Sequence, residues 1–147
     1  MASRLESWLG KNAFALSPDP VYTSLFHASE LCALQGNVYL TNEECGIGLV
    51  FDEVLCLKAI HLTPPQPGHE DVLPALLPFN LRFDFARERT RAQLAHLVSK
   101  EGGGVVHRSL GLVPAWEQYF PEGYYLHLEY SGDEASITRI TLGVQAP

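Results

Sequence analysis

Residues 37–62 read NVYLTNEECGIGLVFDEVLCLKAIHL, and their period decides the fold class. Val38-Tyr39-Leu40, Ile47 to Phe51 and Val54 to Leu62 are β-branched, aromatic and apolar runs separated by the polar breaks Asn42-Glu43-Glu44 and Asp52-Glu53. Runs of that composition between polar turns describe an antiparallel meander. Ile47, Leu49 and Phe51 fall on one face, because side chains alternate along a strand. In the third run Leu55, Leu57 and Ala59 alternate with Cys56, Ile60 and Leu62, so both faces are apolar and the strand is expected at the centre of a sheet.

Upstream the period is helical. Asp19-Pro20 is an N-cap acid followed by proline at the first helical position, and Val21, Tyr22, Leu25, Phe26, Ser29 and Cys32 recur at 3–4-residue spacing. A helix is predicted from Pro20 to about Leu34, closed by Gly36. A shorter one opens with a capping box at Ser3 and Glu6 and presents Leu5, Trp8 and Leu9 on one face.

Downstream, residues 63–78 hold Pro64, Pro65, Pro67, Pro74 and Pro78. Proline lacks the ladder donor, so this stretch is a crossover outside the sheet. The remainder, 79–147, reads as strand, helix and meander. Leu81-Arg82-Phe83 leads into a helix from Ala86 to Leu97 capped by Asp84, with Thr90, Leu94 and Leu97 as its buried stripe. Arg87, Arg89 and Arg91 are expected in water. Lys100 to Gly104 reads as a flexible loop. Strands follow at Trp116 to Phe120, Tyr124 to Tyr130 and Ile137 to Leu142, with Ser131 to Glu134 as a hairpin turn. In the aromatic-rich stretch from Trp116 to Tyr125, Tyr125 and Phe120 are expected to face outward. The whole, residues 1–147, is expected to be a single α+β domain in which antiparallel meanders pack against two to three helices, with residues 1–36 as its helical N-terminal part.

The chain has 147 residues, ten Lys+Arg against seventeen Asp+Glu, and a formal charge of −7. That balance excludes binding nucleic acid by phosphate neutralisation. No apolar run approaches the roughly 20 residues a bilayer requires, so no membrane span is expected. The N-terminus has no apolar signal region, which with three unpatterned cysteines, expected as small buried hydrophobes, points to the cytoplasm. The charge is uneven: nine acids against three bases up to Leu81, and eight against seven from Arg82 onward.

Catalytic motifs do not emerge. His27, His61, His69, His96, His107 and His127 form no HExxH, Ser109 sits in no GxSxG elbow, and neither Gly102-Gly103-Gly104 nor Gly46-Ile47-Gly48 completes a phosphate or dinucleotide fingerprint. His69-Glu70-Asp71 is the densest run of metal-ligating types, but three consecutive side chains rarely converge on one ion. No cofactor, no metal and no enzymatic activity are therefore expected. The acidic pairs Glu43-Glu44, Asp52-Glu53 and Glu70-Asp71, together with the outward Tyr125, are the candidate partner-binding residues, because their shared sign would attract a basic protein.

LPFNLRFDFARERTRAQL (77–94), the GGG run and PAWEQYFPEGYYLHLEYSGDEASITRITL (114–142) resemble a family of small bacterial immunity proteins encoded beside toxins of polymorphic and type VI secretion systems. NEECGIGLVFDEVLCLKAIHL (42–62) is similar to that family's first hairpin set, so the likeness runs from Asn37 to Leu142. Where the family ends its helix with Leu-Gly-x-Pro, this chain has Leu94-Ala95-His96. The resemblance implies a binder that neutralises a cognate effector, and it transfers no toxin-binding residue. Combined with the acidic surface, it implies a basic toxin such as a DNase or RNase, inhibited either by the six acids standing in for phosphates in its active site or by a block at a remote surface. The helix-plus-meander half is also similar to outer-membrane assembly lipoproteins and to β-lactamase-inhibitor protein, which keeps an envelope-assembly or scaffold module as an alternative. A small-molecule enzyme collecting His69, His107 or His127 with carboxylates is a third reading. Whether the protein forms a homodimer before meeting its partner stays open.

Overall fold

The computed structural model describes residues 5–107, 109 and 111–145. A 3-10 turn at Leu5–Trp8 precedes α1 (Ala13–Leu16) and α2 (Pro20–Phe26), and then β1 (Cys32–Leu34), β2 (Asn37–Asn42), β3 (Ile47–Phe51) and β4 (Leu57–Leu62) follow. After the crossover, which contains the single turn α3 (Leu73–Leu76), come α4 (Arg87–Gln93), β5 (Ser99–Gly102), β6 (Val105–His107), β7 (Gly111–Val113), β8 (Trp116–Tyr119), β9 (Tyr124–Tyr130) and β10 (Ile137–Val144). Eight strands form one antiparallel sheet in the order β1-β2-β3-β4-β10-β9-β8-β5, and β6 and β7 pair separately. The α+β class with its meanders is as expected, and α2 and α4 are its two main helices.

Two rows of apolar side chains cross the sheet on one face. Leu40, Leu49, Ile60, Leu142, Leu126 and Tyr119 are cross-strand partners in turn, and so are Ile47, Leu62, Ile140 and Leu128. All are buried, in a single cluster with Leu5, Trp8, Leu16, Leu25 and Phe26 from the N-terminal part and Leu73, Leu81, Phe85 and Leu94 from the second half. Each such side chain contributes roughly 1.5–3 kcal/mol of burial, as an upper estimate. Among the described residues, the helices and this cluster cover one face of the sheet.

Several boundaries differ from the sequence reading. The α2 cap is present, since Asp19 Oδ1 accepts from Val21 N (2.9 Å) and Tyr22 N (3.3 Å), but the helix stops at Phe26. Cys32 to Leu34 is instead an edge strand, because Gln35 (φ +51°) and Gly36 (φ +81°) form a two-residue hairpin turn that pairs Leu34 with Asn37. Gly36 ends no helix; it makes a turn.

β4 begins at Leu57 rather than Val54, because Asp52 Oδ1 accepts from Val54 N and Cys56 N at 3.0 Å and holds Leu55 at φ +63°. A register shift opposite Val50 and Phe51 then puts Leu57 on the same buried face as Ile60 and Leu62. The strand is central as expected, but its second face carries half-buried Ala59 and His61 rather than a second core.

No strand forms at 81–83, although Ile137 N donates to Phe83 O (2.8 Å). Asp84 binds Arg82 instead of capping α4, whose first N–H, that of Arg87, donates to Glu134 O (3.0 Å). Lys100 to Gly104 is not all loop: residues up to Gly102 form β5, and a Cβ at Gly102 would overlap the Trp116 ring lying over it. All three cysteines are free, but Cys32 is exposed on β1 and the other two are half-buried, Cys45 packing against the edge of the core. The Ser3 half of the capping box and the His107 side chain lie outside the described residues.

Candidate functional site

The uncovered sheet face follows from register. Thr41, Gly48, His61, Thr141, His127, Gln118 and Lys100 succeed one another across seven strands, and Arg139, Glu129, Trp116 and Gly102 form the adjacent row. On the other side run Tyr39, Val50, Ala59, Gly143 and Tyr125. Glycine, alanine and threonine at the centre leave the larger side chains standing around a shallow floor. Trp116 stacks on His127 at 5.2 Å between ring centroids, and Tyr125 lies over Gly143, where any Cβ would overlap its ring.

Arg139 stands between two depressions of this face, one toward Tyr39 and Gly48, the other toward Tyr125 and His127. Its Nη2 donates to His61 Nδ1 (3.1 Å), and the Thr141 hydroxyl reaches the same nitrogen (3.0 Å). A guanidinium cannot accept, so Nδ1 carries the lone pair, the Thr141 O–H donates to it, and the ring proton is on Nε2. Burial, and then the Arg139 charge, lower the His61 pKa to about 4. His61 is therefore neutral at pH 7, and a hydroxyl–imidazole pair that looks like a nucleophile and its base is poorly suited to that work. Burial also lowers His127, against the raising effect of Glu129.

Of the seven candidate partner-binding residues, Tyr125 is on this face, half-buried over Gly143. Glu43 lines the edge of the first depression. Glu44 is beside it, paired with His69 (3.3 Å), and its carbonyl accepts from Gln66 N (2.9 Å), which brings the crossover with Glu70 and Asp71 to the same end of the sheet. Glu70 there accepts from Gly68 N (3.0 Å). Asp52 and Glu53 sit at the opposite end of β3, about 15 Å away at ordinary strand rise, where Asp52 shapes its own turn and Glu53 lies beside Gly36. The six acids form two groups, not one surface.

The most elaborate polar cluster is one that sequence reasoning missed. Glu117 follows Leu128 in the apolar row of Ile47, Leu62 and Ile140 and is 2% exposed. Its Oε1 accepts from Tyr130 (2.6 Å) and Tyr119 (3.1 Å), and its Oε2 from Arg87 Nε (3.1 Å) and Arg91 Nε. Arg87 also binds Glu134 (2.9 Å) and Glu101 (2.8 Å), and Arg91 binds Glu101. Burial pushes the Glu117 carboxyl up, but hydrogen bonds from Tyr130, Arg91, Arg87 and Tyr119 together hold it below the usual range. The same burial, with the Glu117 charge, raises both phenols. Arg87 and Arg91 are i, i+4 on α4, so they share one face and reach one carboxylate, contrary to the expectation of three arginines in water. Arg89 packs its guanidinium over the Phe85 ring at 4.2 Å. The readable signal was Glu117 two residues before Tyr119, in phase with the core face, opposite an Arg-x-x-x-Arg pair. Arg87 and the two phenols are turned inward while Arg91 is half-exposed, and the effect of the cluster is to fasten α4 to the sheet.

Among the described residues, no group of three or more His, Cys, Asp or Glu is placed to hold a metal, and no helix is long and apolar enough to cross a membrane. Compared with family models, curated proteins and solved structures, the chain matches none.

Proposed function

We propose that this protein is a cytoplasmic immunity-type inhibitor that binds and neutralises a cognate secreted toxin, a basic nuclease effector of a type VI secretion system, and carries out no chemistry itself. The observation that carries the reading is the bare sheet face, on which Arg139 stands between Tyr39 on one side and Tyr125, His127 and Trp116 on the other. Tyr, Trp and Arg are the side chains that most often anchor protein interfaces, the aromatics because they bury much area at little entropic cost and Arg because its planar fork bonds and stacks at once. The face is continuous with the acidic end through Glu43, so a basic partner would be steered toward it. The family resemblance of 37–142 supports the same reading.

Co-expression with the toxin-like product of the neighbouring reading frame should restore growth and yield a copurifying complex. Tyr125→Ala and Arg139→Ala should each weaken that complex tenfold or more. Glu43→Lys with Glu44→Lys should slow association and flatten its salt dependence, whereas Glu53→Lys at the far end should not. Absence of a complex, or wild-type affinity in both sheet-face variants, overturns the proposal.

A further inference from the structure

The depression between Tyr39 and Arg139 is a trough of about 290 Å³ floored by Gly46 and Gly48. Arg139 and His61 supply its nitrogen donors. Arg139 has five N–H groups, of which Nη2 serves His61, while the Glu129 carboxylate lies 3.8 Å from Nε, beyond hydrogen-bonding distance. The Arg139 side chain is 45% exposed. His61 lines the trough, and with its Nδ1 engaged by Thr141 and Arg139 its Nε2–H has no partner among the described residues. The Thr41 side chain borders Gly48 on the far side, 3.6 Å from where a Cβ would stand. Glu43 is the acid of this trough, and it is on β2's side, roughly three strand spacings or ~14 Å from Arg139.

We infer that this trough is a carboxylate-accepting subsite, in which a carboxylate carried by a protein partner lies on the Arg139 guanidinium and accepts from His61 Nε2–H. The inference rests on the sheet face being the docking surface proposed above. Two features favour an anionic guest. Arg139 lacks a close counter-ion on its trough side, and charge-assisted bonds from a guanidinium are among the stronger polar contacts available at an interface. The tautomer imposed by Arg139 also leaves His61 with an Nε2–H to donate, and both residues line the same trough. A cationic side chain would meet the guanidinium instead, and would be accommodated only at the Glu43 end.

The test uses the whole protein at pH 7 and reads the His61 imidazole by ¹⁵N-resolved NMR. Sodium acetate, added at constant ionic strength against sodium chloride, should shift the His61 Nε2–H resonance saturably, and a blocked Gly-Asp-Gly peptide should do so at least as tightly. Arg139→Gln should abolish the shift. Gly48→Ala, which keeps the guanidinium but adds a methyl group to the floor, should weaken binding several-fold without unfolding the strand, since a Cβ at Gly48 meets only ordinary contacts. No saturable shift, an equal shift with chloride, or an undiminished one in Arg139→Gln overturns the inference. Binding of acetate with exclusion of the peptide overturns the protein-borne source and leaves a site for a free carboxylic acid. Each of these failures is distinct from failure of the toxin-binding reading, which copurification and the affinities of the sheet-face variants decide.

Discussion

Glu117 shows how one residue can be placed against its hydropathy. Its strand position belongs to the core, and an ionised carboxylate there is tolerable only because two phenols and two guanidiniums satisfy both oxygens. Removing the charge takes from Arg87, which is 17% exposed and drawn inward, its one buried counter-ion and leaves it the more exposed Glu134 and Glu101. Glu117→Gln should therefore cost about 3 kcal/mol of unfolding free energy in urea titrations. Glu101, 60% exposed, binds the same arginines from the solvent side, so Glu101→Gln should cost under about 1 kcal/mol. Equal losses would mean that the clasp does not depend on burial. His61 gives a pH signature of its own. Its folded pKa, about 4, lies below the unfolded value of 6.5, so the unfolded chain takes up the proton first. The stability it contributes is complete above pH 6.5, falls as the pH drops toward 4, and is flat below that. With solvent screening of a half-buried site, the fall is on the order of 1–2 kcal/mol. His61→Gln should lack this component between pH 6.5 and 4, and a wild-type-like slope in that variant would contradict the burial of a neutral imidazole.

At the level of elements, the sheet face depends on aromatic rings lying over glycines of neighbouring strands: Tyr125 over Gly143, Trp116 over Gly102. Gly143→Ala must evict the Tyr125 ring and should cost about 1–3 kcal/mol. In Tyr125→Ala the same substitution should be nearly free, and strictly additive costs in the double-mutant cycle would rule out the contact. Such pairings explain what could be read from the chain. β9 was legible because Tyr124, Leu126, Leu128 and Tyr130 alternate cleanly with Tyr125, His127 and Glu129, and that alternation is what burial follows. β5 was not, because Ser-Lys-Glu-Gly has the composition of a loop and is a strand only through its pairing with β8. β1 was hidden by a helical spacing that ran on past Phe26, where the local turn at Gln35-Gly36 and the pairing of Cys32 with Tyr39 outweigh propensity. Of the candidate site, Tyr125 was legible from phase alone. Arg139 and His61 were not, since they are 78 residues apart in sequence and meet only through the β4–β10 register.

That register is also what makes the molecule one unit. The first half supplies β1 to β4 and the second supplies β10, β9, β8 and β5, and the only seam between them within the sheet is β4 against β10, from Ile140 opposite Leu62 to Gly143 opposite Ala59. Ile60, Leu62, Ile140 and Leu142 are fully buried on either side of it. A chain cut at that seam would expose two central strands as open edges, each with an apolar face. The crossover that connects the halves is an exposed, proline-rich surface stretch around Gly68, and closing a loop of that length costs little beyond bringing its ends together. Cutting between Gly68 and His69 should therefore leave the fold intact while the cohesion of the halves comes from the seam. Fragments 1–68 and 69–147 should each lack a cooperative thermal transition alone, and should recover one, with a one-to-one stoichiometry and His61 again contacting Thr141, when mixed. The His61–Thr141 contact crosses the seam, so the His61 imidazole resonance reports reassembly directly. A cooperative transition in fragment 1–68 by itself would show that the first meander is a domain, and that the sheet face carrying Arg139 is assembled from two independent parts.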